Sequence, residues 1–218
     1  MKFLLHAAVI VIGILSVPAA FAAGLYGSKH DMTAIPTQVG ATPGSSSICV
    51  YCHTPHTLLV DDIAPVWNKP PVSSYYVPYS SSTIDGSVSP TMGATTSLCL
   101  GCHDGSIAVN VMVNPPLSGG YVTGFSAAPP GWNLTEKGYM TGSPRMDHDF
   151  SNDHPVSVSY PASDQGLVHP PPVTFPLYGV LSNKVECTTC HNVHDNLYQP
   201  FLRASNDGST LCRACHNR

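Results

Sequence analysis

The sequence predicts a fold that is mostly coil, with short helices and a few short β-hairpins, gathered round something other than its own side chains. Three observations lead there. Charged residues are only 10% of the 218, and there are 18 glycines and 21 prolines, a balance far from the quarter or so of charge in ordinary soluble domains and hostile to long helices. The uninterrupted apolar periodicity that marks a large self-made core is largely missing. Eight cysteines fall into four copies of one pattern with none left over: Cys49-Val50-Tyr51-Cys52-His53, Cys99-Leu100-Gly101-Cys102-His103, Cys187-Thr188-Thr189-Cys190-His191 and Cys212-Arg213-Ala214-Cys215-His216.

C-x-x-C-H is the attachment signature of a c-type haem. Two thiols one helical turn apart add across the two vinyl groups of the macrocycle, and the next histidine is thereby set under the iron as proximal ligand. The expectation is four haem c groups, bound covalently through Cys49, Cys52, Cys99, Cys102, Cys187, Cys190, Cys212 and Cys215, with His53, His103, His191 and His216 as proximal ligands. Four disulfides or zinc held by the cysteine pairs compete for the same residues. Neither requires a histidine after every second cysteine. Histidines number 11 in 218 residues, so chance fills four chosen positions on the order of once in 10⁵ trials, which favours the haem signature. Four such plates would replace the missing core.

Met1 and Lys2 precede an almost unbroken apolar run from Phe3 to Val17, then Pro18 and the small-residue triplet Ala20-Phe21-Ala22. This is the layout of a secretory signal peptide, residues 1–22, cleaved after Ala22. A retained anchor would need roughly 20 apolar residues. The mature chain is therefore expected to be exported, with no membrane span, which suits covalent haem attachment. Loss of Lys2 takes the formal charge from −4 to −5. No basic run is present, which argues against nucleic acid as a partner.

The motifs alternate. The first and third continue as His53-Thr54-Pro55-His56 and His191-Asn192-Val193-His194. The second and fourth lack this extension and are preceded by Ser97-Leu98 and Thr210-Leu211. The order reads as a duplicated two-haem unit, residues 23–143 with an amino-terminal arm and 144–218, packed as one body. Alternating Ile107, Val109, Val111 and Val113, and later Val156 and Val158, read as short strands over the haems. The tracts 66–92 and 115–144 read as irregular coil.

Each iron needs a second axial ligand. A histidine three residues past the proximal one lies on the same side of its turn, so it cannot easily reach round its own macrocycle but can serve a neighbour. His56 and His194 are thus the first distal candidates. Six histidines compete for four places: His30, His56, His148, His154, His169 and His194. His154 follows the polar turn Asn152-Asp153. His30 sits on an arm free to swing to its own haem or to another molecule's. His148 shares the acidic setting Asp147-His148-Asp149 and His169 lies in a proline-rich loop, so both are weaker. Met32, Met92, Met140 and Met146 are alternative ligands.

The segments SKHD, CVYCHTPH, APVWN, LCLGCHDGSIA, SNDHPVSV and CTTCHNVH resemble the doubled-CXXCH multihaem c-type cytochromes of metal-reducing bacteria, and the four-haem layout is similar to their tetrahaem filament-forming (OmcE-type) outer-surface members. The resemblance implies bis-histidine haems with His30, His56, His154 and His194 as distal ligands, little regular structure, and polymerisation in which one subunit's histidine completes a neighbour's haem. On that reading the chain is not an enzyme. It passes single electrons along its haems to extracellular electron acceptors, with itself and other redox cytochromes as partners, at the cell surface. A monomeric periplasmic shuttle is the alternative. A multihaem reductase would need one five-coordinate haem, and every motif here ends in histidine with distal candidates to spare.

Overall fold

The computed structural model describes residues 24–34, 48–54, 67–72, 75–114 and 131–217. The leader 1–22 and His56 lie outside them. Among the described residues no helix is long and apolar enough to cross a membrane.

Helices form where the cysteine motifs are. The first motif lies on a 3₁₀ turn, Ile48–Tyr51. The second closes α1, Ala94–His103, a ten-residue stretch free of proline. Past it Gly105 adopts φ +76°, the left-handed geometry that ends helices and suits glycine; a Cβ there would meet Arg145 Nε at 2.7 Å. The third motif is α2, Cys187–Cys190. The fourth begins on α3, Thr210–Arg213, which follows a 3₁₀ turn over Asp207–Ser209.

Strand structure is minimal. Val158–Ser159 (β1) pairs antiparallel with Lys184–Val185 (β2), Val158 opposite Val185, and Val158 also bridges Val88 on its other side. The strand expected around Val156 and Val158 is therefore present, though shorter, and its partners come from far along the chain. A turn closes between Tyr178 and Lys184, whose backbone groups exchange bonds of 2.8 and 2.9 Å.

Two expectations are corrected. Ile107 to Val113 is no strand: its backbone is spent on unrelated partners, Val109 N–H on the Gly138 carbonyl and Val113 N–H on that of Asn68, while the Val109 and Val111 carbonyls accept from the Lys69 ammonium. Ala108, Val109 and Met112 are nonetheless buried, Val109 to 1% exposure, while Ile107, Val111 and Val113 are half-buried. In the tract 115–144, residues 131–144 are not irregular. Leu134 and Met140 bridge across a tight turn in which Thr135 N–H reaches the Tyr139 carbonyl at 2.9 Å and Thr141 N–H that of Asn133 at 2.8 Å.

Among the described residues two small apolar clusters form: Met32, Tyr51, Val109 and Met112, with Cys102, Trp132, Leu134 and Met140 against them, and Tyr76, Leu100 and Phe150, with Met92, Met146 and Val156. The α1–α2 contact is polar. Glu186, 2% exposed, caps α2 by exchanging hydrogen bonds with Thr189, accepts from Ser157 Oγ at 3.1 Å and takes the Thr96 hydroxyl of α1. Gly93 lies so close to it that a Cβ would collide with the carboxylate. Thr188 Oγ1 donates to Thr95 Oγ1 at 2.8 Å. Glu186→Ala would strand these donors in a buried site and is expected to cost about 3 kcal/mol of unfolding free energy in the haem-loaded protein. Glu186→Gln, which keeps an acceptor oxygen, should lose clearly less; denaturant melts followed by circular dichroism compare the two.

Candidate haem centres

Each motif folds into one turn. His53 N–H returns to the Cys49 carbonyl at 2.8 Å, His191 to Cys187 at 3.0 Å and His216 to Cys212 at 2.9 Å, and the second motif is the last turn of α1. Residues three and four apart thus share a face, which sets both sulfurs and the imidazole toward the same space. All eight cysteines are free thiols in this structure, standing for the thioethers that attachment forms. Among the described residues no three histidine, cysteine, aspartate or glutamate side chains gather as a metal cluster, as a zinc site built from these pairs would require.

The histidine rings are oriented from behind. The Nδ1–H groups of His103 and His191 are set to donate to the carbonyls of Pro144 at 2.7 Å and Pro200 at 3.0 Å, and His154 Nδ1 to that of Pro155 at 3.0 Å. A carbonyl on Nδ1 fixes the tautomer that leaves the Nε2 lone pair free for a metal.

Three of these rings face a second histidine. His53 and His194 lie 6.2 Å apart between centroids at 20°, His103 and His30 6.0 Å apart at 59°, and His216 and His154 6.3 Å apart at 75°. Two metal–imidazole bonds of about 2 Å in line, with the ring radii added, separate two centroids by about 6 Å. The residues present fit an iron between two histidines at all three places. His191 faces no second ring among the described histidine pairs, though it neighbours His30 and His103, and His56, expected as a distal ligand, lies outside the described residues.

The other candidates are occupied otherwise. His148 Nε2 is 3.6 Å from Asp104 Oδ2 and edge-on to Tyr76. His169 Nε2 accepts from the Asp164 N–H at 3.1 Å beside Tyr160. Met32, Met92, Met140 and Met146 all pack in the apolar clusters.

The motifs adjoin one another. Cys99 of α1 lies against Cys187 of α2, and that hydrogen bond together with burial pushes the Cys99 thiol well up. Burial pushes Cys190 up to about 11, helped by the nearby Cys215, Cys187 and Cys212 thiols. Sequence reasoning missed the polar groups buried beside the motifs: Lys69, Glu186 and Asp104, the last accepting from Tyr76 OH at 2.7 Å. Adjacency to a motif was the available signal for Asp104 and Glu186.

The chain matches the doubled CXXCH motif family over residues 179–218, the stretch holding the third and fourth motifs. No curated protein matches it. The second half carries a doubled CXXCH motif. That match supports a multihaem c-type cytochrome, with haem c and its iron bound covalently through CXXCH and used for electron transfer.

Burial first, and then the neighbouring His103 and His191, lower the His30 pKa from 6.5 to about 4. A group protonated more readily unfolded than folded withdraws stability as pH falls through that window. A low pKa also keeps the imidazole neutral at ordinary pH, the form in which it can ligate a metal.

Proposed function

We propose that the chain is a tetrahaem relay of bis-histidine haems that moves single electrons and catalyses no reaction of its own. The three facing imidazole pairs carry this reading. Haem iron supplies one-electron exchange between its ferric and ferrous states. The cysteines would tether the group and each facing histidine pair would hold its iron from both sides, which would leave no place for substrate. His194 serves the His53 centre, His30 that of His103 and His154 that of His216. The fourth assignment rests on reciprocity: His194 follows the third motif and faces the first, so His56, at the same offset after the first, serves His191.

Contacts between motifs support the path. The second adjoins the third through Cys99 and Cys187, the third adjoins the fourth through Cys190 and Cys215, and the first meets the third through His53 and His194. His154→Ala should convert one haem of four to a high-spin form that binds cyanide, while His148→Ala leaves all four low-spin; electron paramagnetic resonance of the oxidised proteins reads both. Four low-spin haems in the His154 variant would sink the assignment.

We also propose export and use of the relay in an extracellular filament that delivers electrons to external acceptors. The paucity of charge, the ten tyrosines and the exposed Tyr26, Tyr75, Val173, Val180, Leu181 and Leu197 support extensive self-contact. A monomeric periplasmic shuttle is favoured by one observation: His30 already faces a histidine of its own chain and is not held out for a neighbour. Negative-stain imaging of the haem-loaded mature protein decides, filaments being the expected result and discrete particles moving the function to the shuttle.

A further inference from the structure

Lys69 is a charged side chain at 2% exposure in a protein with nine basic residues in all. Its position is fixed from three sides. The preceding residue ties it to the first motif, Asn68 N–H donating to the Cys52 carbonyl at 2.8 Å, and Trp67 bridges His53. Its stem passes the second motif at Gly101, where a Cβ would meet Lys69 Cβ at 3.9 Å. Its ammonium donates to the Val111 carbonyl at 2.9 Å and to that of Val109, which holds it in place without neutralising it. Among the described residues no carboxylate forms an ion pair with it. Lys69 thus adjoins both motifs, the first through its neighbour Asn68 and the second at Gly101.

An uncompensated buried ammonium is costly to fold. It also acts over a longer range than a solvated charge, because little water screens it. Reduction adds one negative charge at an iron, so a fixed cation nearby stabilises the reduced form. We propose that Lys69 raises the potentials of the two haems carried by Cys49–Cys52 and Cys99–Cys102 and leaves those on Cys187–Cys190 and Cys212–Cys215 unmoved. It thereby biases electron flow from the second half of the chain toward the first. The inference rests on the haem reading above.

The test is a spectroelectrochemical titration of the haem-loaded protein against Lys69→Gln, Lys69→Arg and Asn110→Asp. Lys69→Gln keeps a donor for the two carbonyls and removes the charge. Two of the four one-electron steps should shift down by at least tenfold in their ferric-to-ferrous equilibrium, 59 mV each, and the other two should hold. Lys69→Arg, which keeps the charge, should stay near wild type. Asn110→Asp leaves Lys69 intact and sets a carboxylate between Val109 and Val111; it should lower the same two steps, and it serves if Lys69→Gln does not fold. Four unmoved potentials, or four moving alike, in a low-spin protein carrying its full haem complement would overturn the proposal. A wild-type protein whose mass shows no covalent haem would instead overturn the reading beneath it.

Discussion

The helical turn that runs from each first cysteine to its histidine is the constraint on which the remaining structure depends. It gathers two sulfurs and an imidazole on one face, and the sparse side-chain core is arranged about it. Among the described residues the two apolar clusters hold only four and three buried side chains, and other buried apolar groups such as Tyr160, Phe175 and Phe201 lie apart from them. Both clusters meet at the second motif. Leu100 belongs to one cluster and Cys102 packs against the other, so α1 carries the second CXXCH motif and is also the seam between the two clusters. A motif that must also be a core element cannot drift, and its histidine inherits that rigidity.

The chain's few charges are used inside as well as outside. Glu186 lies at the amino-terminal turn of α1, beside Gly93 and Thr96, where helix N–H groups favour an anion. Asp104 follows His103 and is held by Tyr76 and Ser106. Lys69 sits across the carbonyls of 109 and 111. In each case the charge is met by hydrogen bonds rather than by a buried opposite charge. That arrangement limits the desolvation cost while leaving a local field, and electron carriers are sensitive to fields in a way that most folds are not. A chain built for solubility would have placed these residues at the surface.

Much of the site was legible because porphyrin chemistry writes its spacing into the sequence. Cys-x-x-Cys-His fixes two thiols and a ligand without reference to the rest of the fold, and the offset from His191 to His194 already excluded service to its own iron. His30 and His154 stand among six candidates on the residues alone, the family resemblance implies them as ligands, and the structure brings both beside motif histidines. Strand periodicity misleads at Ile107 to Val113: the backbone partners are a lysine, an asparagine carbonyl and a glycine carbonyl that no local pattern announces. Lys69 was invisible for the same reason. Its burial depends on the Val109 and Val111 carbonyls, some forty residues away, and only the folded chain brings the two together.

The repeat of extended and plain motifs invites division into two haem-binding halves, yet the contacts run across the division. His53 in the first half faces His194 in the second. His30 of the amino-terminal arm lies between His103 and Phe201, its ring 4.5 Å from the latter. Met146 N–H bonds the His103 carbonyl at 2.7 Å, and the carboxylate that joins α1 to α2 comes from the second half. Neither half holds a complete set of described histidine pairs and its own polar seams. The motifs repeat, while the described contacts join the two halves. The physical consequence is cooperativity: an imidazole supplied from the opposite half joins both when its centre closes, so loss of one such pair loosens both halves at once.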